Sequence, residues 1–142
     1  MEKNPTILMV AAVALVRGDG AVLVQQRPAG GHHAGLWEFP GGKIEAGETA
    51  RAAAVRELRE ELAIALRELD LVPVGSAVAK EASGRGIEMQ LFAARQWYGE
   101  PELLDAAAFA WADAAGLAKL AMPQVDIPLA RRLGEMLSAG AL

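Results

Sequence analysis

The segment from Gly41 to Glu61 limits what this chain can fold into more than any other stretch of the sequence. Two adjacent glycines at its start permit backbone conformations that other residues rarely adopt. Thr49 is of a type that caps helix N-termini, and the apolar residues that follow recur every four positions, which predicts an amphipathic helix over residues 49–62. Three glutamates occupy positions i, i+3 and i+4 of this helix, so they share one face beside the apolar stripe.

These glutamates, Glu57, Glu60 and Glu61, need an explanation, because like charges on one helical face repel by about 0.2–0.5 kcal/mol per pair. Hard divalent cations favour such oxygen clusters, and Mg²⁺ is held by a few carboxylates together with phosphate oxygens and water. A solvated acidic face is the alternative for the three residues taken alone, since Arg56 and Arg59 would reduce their repulsion. The choice between a cation site and a solvated face depends on the surrounding pattern.

The surrounding residues complete a motif of fixed spacing. Gly42 is followed after five residues by Glu48, and seven residues later by the run Arg56–Glu61, which reads Arg-Glu-Leu-Arg-Glu-Glu. This pattern resembles the signature of the Nudix hydrolases. The resemblance implies an enzyme that cuts a nucleoside diphosphate linked to another group, and it favours the cation site over the solvated face.

The same resemblance implies an α/β (α+β) architecture, the Nudix fold, in which an α/β/α sandwich surrounds a mixed β-sheet. A chain of 142 residues suits one domain, so we expect a single Nudix hydrolase domain over residues 1–142. Gly18–Gly20 predicts a turn that joins the first two strands in a hairpin. The sequence pattern predicts strands near 7–17, 21–26, 69–79, 86–98 and 109–112, a short apolar piece at 36–39, a turn at 40–42, a short helix capped by Asp113, and a last helix at 127–138.

The resemblance also implies roles at the motif. The three glutamates would bind Mg²⁺, with Mn²⁺ as an alternative cation, and Gly42 would offer its backbone carbonyl. Arg56 would orient Glu57, and Glu48 would assist through its charge or as a secondary ligand. Asp105 follows a Gly-Glu-Pro sequence and resembles the position where MutT relatives place a further acidic metal ligand or base. Either Asp105 or one of the three glutamates would take the proton of the attacking water.

The sequence departs from the Nudix pattern at the end of the predicted helix. The family usually has a glycine two positions after the last glutamate, where this chain has Ala63. Glycine caps a helix in the left-handed region of backbone space. Alanine in that conformation costs roughly 1 kcal/mol, unless the helix ends in another way.

Two segments outside the motif resemble the MutT-type 8-oxo-dGTP diphosphatases, namely Trp37–Lys43 and Gln25–Pro28. These enzymes hydrolyse a nucleoside triphosphate to the monophosphate and pyrophosphate, which removes oxidised nucleotides from the pool used for DNA synthesis. The substrate contacts that this resemblance implies are Arg27, Phe39, Lys43, Arg85, Asp126 and His32.

Each implied contact has a role and an ordinary structural alternative. Arg27 and Lys43 would contact phosphates, Phe39 would offer backbone groups to the base edge, Arg85 would contact the base, and His32 lies in a loop that would fold over the substrate. The alternatives are an exposed strand-end charge for Arg27, core packing for Phe39, a surface charge at a turn for Arg85, and a mobile loop residue without a catalytic role for His32.

Asp126 leaves the identity of the base open. The best-known relative has an asparagine in this place, whereas a carboxylate only accepts hydrogen bonds. A carboxylate suits the N7–H of 8-oxoguanine but opposes its O6 unless it is protonated, and it also suits the exocyclic amine of cytosine. Asp126 is alternatively an N-cap for the last helix.

Several functions therefore remain open. An 8-oxo-dGTP diphosphatase is the first expectation, and a CTP- or dCTP-type pyrophosphohydrolase is the second, because Asp126–Leu129 is similar to the pyrimidine branch of the family. ADP-ribose or a dinucleoside polyphosphate is a further alternative. A non-catalytic nucleotide-binding module would be expected to lose the glutamates of the motif.

Composition excludes several other chemistries. The chain has no cysteine, which excludes thiolate sites and disulfides, and its two histidines, His32 and His33, are too few for a three-histidine metal site. A net charge of −4 disfavours nucleic-acid polymers and anionic membranes as partners. The apolar run Ile7–Val16 is about half the length of a membrane helix. We expect a cytoplasmic monomer or homodimer with a nucleoside triphosphate as its substrate.

Overall fold

The computed structural model describes residues 7–31 and 34–142. Across these residues the elements follow in the order β1 (Ile7–Leu15), β2 (Val22–Gln26), β3 (Trp37–Glu38), β4 (Gly41–Lys43), α1 (Ala50–Leu62), a 3-10 turn (Glu68–Asp70), β5 (Val72–Lys80), β6 (Gly86–Ala94), β7 (Ala108–Ala112), α2 (Ala114–Leu117) and α3 (Asp126–Ser138).

The strands form two sheets. In the larger sheet the order is β4-β1-β6-β5, where β1 and β6 are parallel and the outer strands β4 and β5 are antiparallel to their neighbours. In the smaller sheet the order is β3-β2-β7, and both pairings are antiparallel. The larger sheet is therefore mixed, as the sequence predicts.

Strand β1 lies between two hydrophobic cores because both of its faces are buried. Ala12 and Ala14 pack into the core that includes Leu129 of α3, whereas Ala11 packs into the core that includes Leu58 of α1. A strand buried on both faces has an apolar sequence without polar alternation, which explains the continuous apolar run of β1. The result is a sheet with α1 on one face and α3 on the other, which confirms the expected α/β/α arrangement.

Helix α1 begins and ends where its sequence predicts. The Thr49 hydroxyl accepts a hydrogen bond from the Ala52 backbone N–H at 3.1 Å, so Thr49 is the N-cap. At the other end, Ala63 adopts φ 59° and ψ 32° in the left-handed region, and its N–H donates to the Arg59 carbonyl. It is the only residue other than glycine with a positive φ among the described residues. The left-handed helix end is thus kept without the usual glycine.

The predicted turn at Gly18–Gly20 is confirmed, since the Gly20 N–H donates to the Arg17 carbonyl and the Arg17 N–H donates to the Ala21 carbonyl. The predicted hairpin is wrong beyond this turn, because within the described residues a single antiparallel bridge, between Val16 and Val22, joins the two strands. The reason is that β1 uses one edge to pair with β4 and the other to pair with β6, which leaves no edge for β2. Strand β2 pairs instead with β3 and β7 in the second sheet.

The predicted turn at 40–42 is also wrong over most of its length. Residues Gly41–Lys43 form the extended strand β4, because the edge of β1 supplies them with an antiparallel partner. Three strand ends differ by two residues or more as well. Strand β5 starts at Val72, after the 3-10 turn, and β6 ends at Ala94, where its partner β1 also ends at Leu15.

The last two helices cover the residues that the sequence predicts, but only one of their two predicted N-cap residues is confirmed. Asp113 caps α2, since its carboxylate accepts from the Gly116 backbone N–H at 2.8 Å, as predicted. Asp126 is not the N-cap of α3: it is the first helical residue, Val125 precedes it, and its carboxylate binds the Phe39 backbone instead. No helix within the described residues is both long enough and apolar enough to span a membrane.

Candidate active site

The two glycines of β4 allow that strand to lie directly against β1 and α1. Gly42 pairs with Ala11 of β1, and a Cβ built on Gly41 would lie 2.2 Å from the Ala11 carbonyl oxygen. A Cβ on Gly42 would lie 2.4 Å from the carboxyl carbon of Glu57. Neither position can carry a side chain without moving its neighbours, so the glycines bring the carboxylate of Glu57 onto the strand.

Arg56 connects the glutamates of α1 with the loop that precedes the helix. Its Nε and Nη2 donate to the two carboxylate oxygens of Glu48 at 2.7 and 2.9 Å. Its Nη1 donates to Glu57 at 3.1 Å and to Glu60 at 3.2 Å, and Nη2 also donates to the Lys43 carbonyl at 3.0 Å. Arg56 is thus held against Glu57, and the orienting role that the resemblance implies for it remains a prediction.

The bidentate pair with Arg56 changes the acidity of Glu48. Hydrogen bonds from Arg56, and secondarily from the Glu45 backbone N–H, lower the pKa of Glu48 to about 2. The same pairing raises the pKa of Arg56 above its already high value. Both groups are therefore charged across the neutral range, and the loop carries a fixed carboxylate next to the helix.

Glu61 lies on the buried side of the helix. One of its oxygens, Oε1, accepts from Gln25 Nε2 at 2.7 Å and from the Gly41 backbone N–H at 3.3 Å. Burial is the main reason that the pKa of Glu61 is raised; the hydrogen bond from Gln25 opposes this rise, and the negative charge of Glu57 adds to it. The carboxyl groups of Glu57 and Glu61 thus lie next to each other on the inner side of the helix.

The paired carboxyl groups of Glu57 and Glu61 fit a divalent cation, because Mg²⁺ prefers carboxylate oxygens and would relieve the repulsion between them. Within the described ranges, no three acidic or histidine side chains already converge as a metal site. The side chain of Glu60 is 57% exposed and is bound to Arg56. Asp105 is exposed in the loop between β6 and β7.

Backbone hydrogen bonds hold that loop near the C-terminal end of α1 and beside β2. The Glu102 backbone N–H donates to the Leu62 carbonyl at 2.9 Å, and the Ala107 N–H donates to the Gln26 carbonyl at 2.9 Å. Asp105 lies between these two anchor points, so the loop carries it near α1 and β2. Its predicted role as a ligand or base remains a prediction.

A cavity of about 230 Å³ adjoins β4 on the face of the sheet opposite α1. The wall includes five of the six substrate residues predicted from the sequence, and it also contains residues that received no role there. Its polar lining consists of Arg27, Glu38, Lys43, Glu81, Arg85 and Asp126, with Phe39, Gly41 and Gly42 at the edge shared with the glutamates. The sixth predicted residue, His32, lies outside the described residues, as does His33.

Asp126 forms the buried end of the cavity. It is 1% exposed, and its Oδ2 accepts from the Phe39 backbone N–H at 3.2 Å. Burial raises the pKa of Asp126 to about 7; the Phe39 hydrogen bond and the charge of Arg27 oppose this rise, while the charge of Glu38 adds to it. Near neutral pH this carboxyl group can therefore donate as well as accept.

Two pairs of oppositely charged side chains also line the cavity. Arg27 Nη1 donates to Glu38 at 3.3 Å, and burial raises the pKa of Glu38 despite this contact. Arg85 Nε donates to Glu81 at 3.0 Å. Arg85 therefore lines the cavity while it is held by an acidic neighbour, and its contact with a base remains a prediction.

Sequence reasoning missed the roles of Gln25, Glu38 and Glu81. Gln25 contacts Glu61, and the other two hold cavity arginines. A usable signal existed for Gln25, because it follows the apolar run Val22–Val24 in a strand whose other central residues are buried. A polar residue at such a position requires a partner.

Comparisons with known proteins agree with this geometry. Residues 6–133 match the family described as NUDIX domain. The chain is 37% identical over 125 residues to the CTP pyrophosphohydrolase of Escherichia coli strain K12, with 86% of this chain and 88% of that protein covered. It is 32% identical over 123 residues to the 8-oxo-dGTP diphosphatase of the same strain, with 86% and 93% covered.

A solved structure gives the same result. The crystal structure of the MutT NUDIX hydrolase from Burkholderia pseudomallei superposes with a TM-score of 0.79 at 25% identity, covering 89% of this chain and 97% of the other. The fold and these matches together identify a hydrolase with the α/β fold of MutT structures. More specifically, the chain belongs to the NUDIX family, whose enzymes act on nucleotide substrates and generally use divalent metal ions.

Proposed function

We propose that this Nudix hydrolase cleaves a nucleoside triphosphate into the monophosphate and pyrophosphate, with Mg²⁺ as its cation. Its preferred substrate would be 8-oxo-dGTP. Water would attack the β-phosphorus, a new P–O bond would form there, and the bridging bond to the α-phosphate oxygen would break. Removal of an oxidised nucleotide from the pool would be the consequence. The relatives named above support both the reaction and the substrate class.

One observation carries this proposal: the cavity and the paired glutamates share a wall. Gly41 and Gly42 line the cavity, while Gly41 donates to Glu61 and Gly42 touches Glu57. The cavity volume of about 230 Å³ is below the roughly 300–1,000 Å³ of pockets that enclose a whole ligand. It therefore suits a base, with the polyphosphate extending over β4 toward α1.

The carboxylates would act on the phosphate side. Glu57, Glu60 and Glu61 would hold the cation, with the Gly42 carbonyl as a further ligand. When bound, Mg²⁺ would neutralise charge on the polyphosphate and help to activate water. One of these carboxylates, or Asp105, would accept the proton of the attacking water.

Three cationic side chains would assist by position and charge. Arg56 fixes Glu57 relative to Glu48, so the carboxylates are held in place before substrate binds. Lys43 and Arg27 line the cavity edge and would contact phosphate oxygens. As in other phosphoryl transfers, catalysis would consist mainly of positioning and charge stabilisation.

The base would meet Asp126 at the buried end of the cavity. A protonated carboxyl can donate to O6 of 8-oxoguanine, while a carboxylate accepts from its N7–H. The raised pKa of Asp126, about 7, makes the protonated form available near neutral pH, which removes the objection that a carboxylate faces O6. This supports 8-oxo-dGTP as a substrate.

A cytosine nucleotide is the second candidate. Carboxylates accept from the exocyclic amine of cytosine, and the cavity contains a second, half-buried carboxyl, Glu38, whose charge acts on Asp126. The relative named CTP pyrophosphohydrolase supports this alternative.

A substrate panel separates the candidates. Equal concentrations of 8-oxo-dGTP, dGTP, CTP, dCTP and ADP-ribose are incubated with enzyme and Mg²⁺, and pyrophosphate and phosphate release are scored separately. We expect pyrophosphate from the triphosphates, with the highest kcat/KM for 8-oxo-dGTP. A higher kcat/KM for CTP or dCTP would select the second candidate, and exclusive cleavage of ADP-ribose would overturn both.

Chelation tests the cation in the same assay. With excess EDTA we expect pyrophosphate release to stop, because the paired carboxylates would then repel the polyphosphate. Activity should return when Mg²⁺ is added in excess. Full turnover in EDTA would contradict the proposed cation.

A further inference from the structure

Gln25 contacts the acidic helix from the second sheet. It is 5% exposed in β2, and its Nε2 donates to Glu61 Oε1 at 2.7 Å. The neighbouring Gln26 instead donates from its Nε2 to the Gly35 carbonyl at 3.1 Å. The two adjacent amides therefore have different partners, and only Gln25 reaches the glutamates.

The other end of the same amide has no partner. Gln25 Oε1 is buried, and no hydrogen-bond donor within reach of it is found among the described residues. The amide is oriented with its NH₂ end toward Glu61, whose Oε1 accepts from it. A buried carbonyl oxygen without a donor is uncommon and destabilising in native proteins.

We propose that Gln25 is a positioning residue for Glu61 and for the cation that Glu61 would hold, an inference that rests on the cation of the proposed function. Gln25 and Gly41 both donate to Oε1 of Glu61, which leaves Oε2 of that carboxylate for the cation. The unpaired Oε1 of Gln25 would accept from a water of the bound cation, since Mg²⁺ retains several waters when it binds to carboxylates.

A purely structural role for Gln25 makes a different prediction. If the amide only ties β2 to α1, its loss lowers the stability of the cation-free protein and leaves cation affinity unchanged. If it positions Glu61, its loss lowers cation affinity, and cation-free stability changes little because the unpaired oxygen is removed together with the donor. Groups that hold a ligating carboxylate typically contribute 10–100-fold to metal affinity.

The test is an Mn²⁺ titration followed by electron paramagnetic resonance, which measures binding without substrate or turnover. The variant is Gln25→Met, which has a similar length and no amide, and the matched control is Gln26→Met. We expect the Kd for Mn²⁺ to rise by about 10–100-fold in the first variant and to stay within twofold in the control. Urea unfolding in EDTA is measured for both, and an unchanged Mn²⁺ Kd in Gln25→Met would overturn the inference.

A second variant keeps the test decisive if Gln25→Met does not fold. Gln25→Asn retains an amide but withdraws it by one methylene from Glu61, so we expect a several-fold weaker Mn²⁺ affinity, and wild-type affinity would overturn the inference. The wild-type titration separates the two proposals. Absence of Mn²⁺ binding to the wild-type protein would overturn the cation of the proposed function together with this inference, whereas wild-type binding that all Gln25 variants match would overturn this inference alone.

Discussion

Two carboxyl groups at the candidate active site, Glu48 and Asp126, have surroundings that shift their pKa in opposite directions. Along α1 and its preceding loop, the guanidinium of Arg56 contacts three glutamates and lowers the pKa of Glu48 to about 2. At the end of the cavity, burial raises the pKa of Asp126 to about 7. The same functional group is thus held charged in one region and close to its neutral form in the other.

Because the pKa values of these carboxyl groups differ, the two regions suit different chemistry. A carboxylate paired with arginine remains an anion, which suits a group that organises ligands for a cation. A buried carboxyl near its pKa can both donate and accept, which suits the recognition of a base edge. The predictions below test this division, from the largest expected effect to the smallest.

Neutralising one carboxylate of the acidic helix should have the largest effect. Glu57→Gln removes the charge but keeps an oxygen that can accept from Arg56, so the fold should be retained while kcat falls by about 10²–10⁴-fold. Pyrophosphate release with Mg²⁺ measures the change, and thermal unfolding in EDTA verifies the fold. Glu135→Gln, an exposed helical glutamate in α3, is the matched control and should retain full activity. Near-normal turnover by Glu57→Gln would contradict the assignment of α1 as the cation-binding face.

Removing the titration of Asp126 should change stability in a pH-dependent way. Between its unfolded pKa of about 3.8 and its folded pKa of about 7, the folded chain holds a proton that the unfolded chain has lost. The free energy of unfolding of the parent therefore falls as pH rises through this window. Asp126→Asn has no such proton and retains an acceptor for the Phe39 N–H. We expect its stability relative to the parent to increase from pH 5 to pH 8, by on the order of 2 kcal/mol.

Urea unfolding of both proteins at pH 5 and pH 8 measures this difference. Arg27 and Glu38 are the charged groups that act on Asp126, and both are unchanged in the variant. Glu135→Gln again serves as control and should show a constant difference from the parent. If Asp126→Asn also differs from the parent by the same amount at both pH values, the carboxyl is not buried in a near-neutral form, and the contrast between the two regions fails.

The acidic helix was predictable from the sequence because its determinants are local. Thr49 caps the helix through a hydrogen bond only three residues away, and the apolar repeat and the glutamates belong to the same short segment. The neighbouring strand β4 was not predictable in this way. Gly41 and Gly42 are typical of turns, and only the edge of β1, about thirty residues earlier, holds them in an extended strand.

The cavity was predictable as a set of residues but not as an arrangement. The resemblance to MutT-type enzymes placed Arg27, Phe39 and Asp126 together, and all three line the cavity. The expected cap role of Asp126 failed, because its carboxylate binds a backbone N–H 87 residues away in sequence. The contact between Gln25 and Glu61 likewise joins a strand of the smaller sheet to a helix 36 residues away in sequence, and no local pattern specifies it.

The smallest expected effect concerns the end of α1, where a locally disfavoured conformation lies beside the glutamates. Ala63 adopts φ 59° and ψ 32°, which costs a residue with a Cβ roughly 1–2 kcal/mol. Glycine avoids this strain but has greater entropy in the unfolded chain, which cancels part of the gain. We therefore expect Ala63→Gly to be more stable by about 0.5–1 kcal/mol, with a Tm higher by about 1–4 °C and unchanged kcat. Ala52→Gly, inside the same helix, should instead lose about 1 kcal/mol because glycine is a poor helix former. Destabilisation by both glycines to the same extent would mean that the helix does not end in a left-handed residue at Ala63, and that Glu60 and Glu61 are not held by such a turn.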